Sequence, residues 1–269
     1  MAATTRRARE RRARRIVGTV LLIALALSVL GGIAWFQWSR PPAPDAATMC
    51  PATGPTSHFV LLVDTTDPLT FTQRQAWDVL LRDLVSRRVP RDALLSVYEL
   101  GADFHADAKP LVELCNPGDG SDRSELTANV QRLRRQYEDR FLKPLLAQSD
   151  RLVATKPADT SPILETIQLV GINAFRAHAE VHGPRRLVIL SDLLHNTPRF
   201  SMYREQPDFA AFAATDYGRR VQADLPGVEV ELHVLLDTPR LQTRRQLKFW
   251  EDYFDKAGAR IVEVRPLEG

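Results

Sequence analysis

Two short apolar runs, each closed by an aspartate, constrain this chain more than any other feature: HFVLLVDTTD (His58 to Asp67) and RLVILSDLLHN (Arg186 to Asn196). Continuous aliphatic runs of this length read as strands buried on both faces, the kind found in parallel sheets covered by helices. In an open parallel sheet, residues just past the carboxyl ends of the strands converge on one crevice, where ligands bind. Asp64 and Asp192 are delivered there with hydroxyls beside them, a set suited to a hard divalent cation such as Mg²⁺. Taken singly, each aspartate can also open a turn or cap a helix.

The pattern around these runs alternates strand and helix. Strands are expected at Phe59–Val63, Leu94–Leu100, Lys109–Leu114, Leu187–Leu190, Val228–Leu236 and Arg260–Val264. Helices are expected at 71–87, 123–152, 161–179, 208–225 and 240–257, the first from Trp77, Leu80, Leu81, Leu84 and Val85 at three- and four-residue spacing. The link from Gly101 to the third strand is too short for a helical crossover, so that strand pairs antiparallel with the second. The expected fold is a three-layer α/β sandwich: a six-stranded, mostly parallel sheet with one antiparallel edge strand.

Ahead of that domain lies a different kind of sequence. Ile16 to Trp38 is apolar and uncharged. As a helix it rises about 35 Å, enough to cross a hydrocarbon core of about 30 Å with some tilt. Trp35 and Trp38 stand at its far end, where amphipathic rings favour the interface. Residues 6–15 hold seven Arg and one Glu, so the whole chain's +3 hides an acidic remainder. The basic pI therefore reports the tail and does not argue for nucleic acid as a partner. Arginines before the span keep the N-terminus cytoplasmic and send the rest outward. A cleaved signal peptide is the alternative, but its apolar region is usually about 7–15 residues. The expected organisation is a basic tail (1–15), a single-pass anchor in the lipid bilayer (16–38), a Pro-rich spacer (39–57) and one domain (58–269). The expected compartment is the inner membrane, with the domain in the periplasm.

The chain has two cysteines, Cys50 and Cys115. Outside the cytoplasm an even count permits a disulfide, which would staple the spacer to the domain; two unrelated thiols are the alternative. His178 and His182 stand four apart, but HAEVH lacks the order of the zinc hydrolase motif.

The strand order, the hairpin, DTTD after the first strand and SD after the fourth together resemble the von Willebrand factor A (VWA) family, over roughly residues 58–266. The resemblance implies a Rossmann-like fold and a metal-ion-dependent adhesion site built from Asp-x-Ser-x-Ser, a loop Thr and a later Asp. Asp64 falls on the first Asp, Thr66 on the first Ser, Thr160 on the loop Thr and Asp192 on the later Asp. Asp67 and Ser161 are additional candidate ligands. Pro68 falls on the second Ser and offers no side-chain oxygen, and Leu193 and Leu194 replace the polar, Gly-containing turn. The helix at 123–152 is an insertion relative to the family pattern.

The expected function is that of a membrane-anchored module for protein–protein interaction in the cell envelope, gripping a protein partner through Mg²⁺ or Mn²⁺. One alternative is a degenerate domain that works without metal. A metal-dependent phosphoesterase is another, with Asp64, Asp67 and Asp192 as ligands. The phosphatase pattern Asp-x-Asp-x-Thr is absent, because Thr66 stands where its second Asp belongs.

Overall fold

The computed structural model describes residues 2–38, 42–124, 129–153, 157–204 and 207–268. They fall into two units, Met1–Ala43 and Pro44–Gly269. The first is a single helix, α1 (Ala2–Trp38), whose stretch Gly18–Trp38 is long and apolar enough to cross a membrane.

The second unit is an α/β domain. Its strands are β1 (His58–Asp64), β2 (Leu94–Leu100), β3 (Val112–Cys115), β4 (Arg185–Ser191), β5 (Val228–Leu236) and β6 (Arg260–Glu268). They form one sheet in the order β3-β2-β1-β4-β5-β6. All neighbours are parallel except β2 and β3, which pair antiparallel through Leu94↔Cys115 to Val97↔Val112. The hairpin and the antiparallel edge are as the short Gly101 link requires.

Helices cover both faces. α2 (Phe71–Asp83) starts at Thr70, whose hydroxyl accepts from Gln73 N while the Gln73 side chain reaches back to Thr70 N. That reciprocal cap satisfies two orphan donors of the first turn. α3 (Val130–Tyr137) and α4 (Lys143–Val153) are joined by a π-helical segment, Glu138–Leu142. Pro144 explains it: proline has no N–H for the carbonyl four residues back and its ring crowds that carbonyl, so the turn before it widens. α5 (Ile163–Val170) and α8 (Arg244–Lys256) lie on the other face, with α6 (Phe209–Ala214) and α7 (Asp216–Arg220).

Central strands alternate between two cores. In β1, Val60 and Leu62 join Ile167, Phe249 and Trp250, whereas Phe59, Leu61 and Val63 join Trp77, Leu84 and Phe141. β4 divides the same way, Leu187 and Ile189 against Val188 and Leu190. Each fully buried aliphatic side chain of this kind contributes about 1.5–3 kcal/mol, which is why 59–63 and 187–190 hold no polar residue.

Several expected boundaries shift: β3 begins at Val112 rather than Lys109, α8 at Arg244 rather than Arg240, and α5 passes into a π-helical segment at Gly171. The single helix expected at 208–225 is two, because the Thr215 hydroxyl accepts from Gly218 N and starts a new helix. Gly218 is required there: a Cβ on it would stand 2.1 Å from the Phe212 carbonyl oxygen. The inserted helix begins at Val130 rather than Arg123, which sits in a turn with its N–H on Gly120 O; residues 125–128 lie outside the described residues. Residues 44–57, expected as spacer, pack with the domain. Cys115 N donates to Thr48 O, Thr56 N donates to Asp92 O, and Met49 is buried beside the Trp77 core. Cys50 and Cys115 form a disulfide across this contact.

Candidate functional site at the sheet switch point

β1 and β4 are neighbours at the middle of the strand order, and the chain runs outward from them in opposite directions. That is the topological switch point, where open α/β sheets leave a crevice past the carboxyl ends of the strands. Asp64 is the last residue of β1, and Asp192 follows the last residue of β4. Val63 pairs with Leu190 in register, so Asp64 emerges beside Ser191, with Asp192 one residue beyond and near enough for the Asp64 charge to act on it.

Asp64 is held on both oxygens. Its Oδ1 accepts from Thr66 N at 3.0 Å and Thr66 Oγ1 at 2.7 Å. Its Oδ2 accepts from Ser191 Oγ at 2.6 Å and, more weakly, from Ser161 Oγ at 3.5 Å. Asp192 Oδ1 accepts from Leu194 N at 2.9 Å, and its Oδ2 stands 3.4 Å from the Tyr203 hydroxyl. Both carboxyls are buried, Asp64 at 5% and Asp192 at 4% exposure. Burial pushes the Asp64 carboxyl above the ordinary range against the pull of its hydrogen bonds. Burial, and then the charge of Asp64, push Asp192 up to about 8. Asp67 is also raised, by burial and by the charge of Asp237, which follows β5. The crevice thus gathers acidic groups whose charged forms burial and mutual repulsion both disfavour.

The turn after β4 is built to hold this geometry. Leu193 has φ of 59°, a left-handed conformation that glycine adopts freely and leucine does not. Its carbonyl accepts from Gln246 Nε2 at 2.8 Å and Trp250 Nε1 at 2.9 Å, while Asp192 O accepts from Gln242 Nε2 at 2.9 Å. Three donors from α8 and its approach therefore over-determine a backbone strained by about 1–3 kcal/mol.

Among the expected ligands, Asp64, Thr66, Ser161 and Asp192 come together. Thr160 precedes Ser161 in the same loop, and its hydroxyl donates to Ala102 O at 2.9 Å, which ties the loop after β2 and leaves the oxygen's lone pairs unused. Ser161 is fixed by paired backbone bonds with Asn196. Ser191 and Tyr203 were not legible as site residues. Ser191 shares the SD step with Asp192, but as the last strand residue it reads as core; Tyr203 carries no local signal. Among the described residues no group of three or more His, Cys, Asp or Glu is placed to hold a metal. The donor set is therefore two carboxylates and hydroxyls, all hard oxygen, which suits Mg²⁺ or Mn²⁺ rather than a soft metal.

No protein-family model matches the chain, and no curated protein matches it. Among solved structures, an aerotolerance-related membrane protein from Bacteroides fragilis, crystallised with multiple mutations to serines, matches over 78% of this chain and 90% of its own. Identity is 12% and the TM-score 0.35, a likeness too low to carry fold or function across.

Proposed function

We propose that the chain is a membrane-anchored, VWA-like interaction module facing the periplasm, and that its switch-point crevice binds a protein partner with the help of Mg²⁺ or Mn²⁺. The observation that carries this reading is the adjacent pair of buried carboxylates, Asp64 and Asp192, with hydroxyls of Thr66, Ser161 and Ser191 around them. A buried carboxyl that a neighbouring carboxylate pushes up, as Asp64 does Asp192, is what a divalent cation relieves. Asp64 and Asp192 would hold it with Thr66 and Ser161. Bound there, the cation would offer a positive pole to a carboxylate of the partner. The chain's own residues do the rest: Thr66 and Ser191 orient Asp64, and Gln242, Gln246 and Trp250 fix the turn that aims Asp192.

A metal-free reading has one specific observation in its favour. Pro68 supplies no side-chain oxygen, so one position of the adhesion-site pattern is missing. Calorimetric titration of the chain with Mg²⁺ and Mn²⁺, beside Asp64→Ala and Asp192→Ala, separates the two. Saturable binding that both substitutions abolish supports the cation site. No heat from folded wild-type protein assigns the partner to surface contacts alone.

A further inference from the structure

We propose that the free edge of β6 is a dimer interface at which two copies of this chain pair antiparallel through Val262–Pro266. β6 is the last strand of the sheet, with β5 on one side and no strand on the other among the described residues. Such an edge presents a row of backbone donors and acceptors to another chain. Val262 and Val264 are 40% and 38% exposed, an apolar pair at the sheet's rim rather than in its core. Grooves lie open on both sides of the strand: Val262 and Val264 line one with α8, and Arg265 and Leu267 line the other with α2, whose Val79 is 68% exposed.

The occupant is a second copy because the segment complements itself. Turned about Val264 and laid against its own reverse, VEVRP sets Val264 against Val264 of the other copy, Glu263 against Arg265 and Arg265 against Glu263. Glu263 and Arg265 pair within each strand, and residues directly opposite in an antiparallel pair share a face, so the junction sets two such pairs head to tail, each Glu beside an Arg of the other copy and each valine beside an apolar neighbour. The two-fold relation makes every contact occur twice, as an isologous interface requires. Opposite faces stay aligned across the junction, which brings the two α2 helices, and their exposed Val79 side chains, toward one groove. The pairing is bounded. The register slips between Val230 and Glu231, leaving Val262 as the extra residue of β6, and Pro266 lacks an N–H to give. Those two features stop the junction at five residues a side. The dimer rests on neither the cation nor the crevice, which lies at the other strands' carboxyl ends.

The test is sedimentation of the full chain in detergent, with cysteine cross-linking in native membranes. The expected result is a dimer that Arg265→Glu weakens at least tenfold and that Glu263→Arg with Arg265→Glu restores. Under mild oxidation Val264→Cys should join chain to chain, and Val262→Cys should not. A native chain that stays monomeric overturns the proposal. So does a dimer indifferent to Arg265→Glu, which would be held by α1, and so does equal cross-linking at both positions.

Discussion

Asp192 shows how a single residue sets the chemistry of the crevice. Its folded pKa of about 8 lies far above the ordinary carboxylate value near 3.8. The folded state therefore binds the extra proton, and stability falls as pH rises from about 4 to about 8. Removing the charge while keeping the acceptor for Leu194 N should reverse this. Asp192→Asn is expected to raise the melting temperature by several degrees at pH 8 in EDTA and to leave no response to Mg²⁺. A lower melting temperature at that pH would mean Asp192 is stabilised by contacts other than those seen. His178 works in the opposite sense at the far end of the sheet. Its ring lies 3.3 Å from both Glu113 of β3 and Glu180, with buried His58 and Arg185 nearby. The bond to Glu113 raises the His178 pKa above 6.5, and the same bond lowers that of Glu113 below 4.5. The histidine's contribution is complete below about pH 6.5 and is lost as pH climbs through its raised value. The glutamate's is complete above about pH 4.5 and is lost as pH falls through its lowered one. The pair's own contribution is greatest between those limits and adds to the Asp192 slope, and His178→Gln should remove its alkaline edge and soften its acid edge, read by urea unfolding at stepped pH. An unchanged alkaline edge in that variant would place the titrating group elsewhere.

At the scale of elements, the disulfide between Cys50 and Cys115 decides where the domain begins. It clips the chain ahead of β1 onto β3, a strand of only four residues at the sheet edge. Constraining a loop of 65 residues' separation is worth about 2–4 kcal/mol, mainly through the unfolded chain. The paired Cys50→Ser and Cys115→Ser chain should lose that much in denaturant unfolding, and β3 amides should exchange faster than those of β1. Equal exchange in both strands would show that Met49 burial and the Thr48 bond hold the edge unaided. This contact also marks a limit of sequence reading. SRPPAPDAATMCPATGPTS has a spacer's composition, and nothing local reveals that Met49 reaches a core assembled from α2 and the inserted helix. The break in the 208–225 helix was hidden for a similar reason: Thr215 is unremarkable until its hydroxyl is seen to win Gly218 N from the helix ladder. Strands were easier. The centres of β1 and β4 were legible because a strand covered on both faces must stay apolar there, and that constraint is written residue by residue. β2 and β5 match their expected ends although each carries polar residues within it. The crevice was half legible for the same reason as β1 and β4. Asp64 and Asp192 announce themselves by ending such runs, whereas Ser191 reads as strand core and Tyr203 depends on how a loop folds over the sheet.

Across the whole molecule, two independent features bear on which side of a membrane the domain occupies. Residues 6–15 are strongly basic and precede Gly18–Trp38, the stretch able to span a bilayer, and such charge is retained on the cytoplasmic side. The Cys50–Cys115 bond persists only where the surroundings are oxidising. Neither argument uses the other: one concerns insertion of α1, the other the chemistry around β3. Both are what the proposed arrangement requires, with the N-terminus inside and the domain in the periplasm. A C-terminal alkaline phosphatase fusion should therefore be active, and protease added to spheroplasts should digest the domain. In unreduced cells a thiol reagent should find no target, since the chain's two cysteines are consumed in one bond. Reversing the charge of residues 6–15 should weaken both results together. An active cytoplasmic reporter at the C-terminus, with both thiols labelled, would place the crevice inside the cell and remove the envelope partner from consideration.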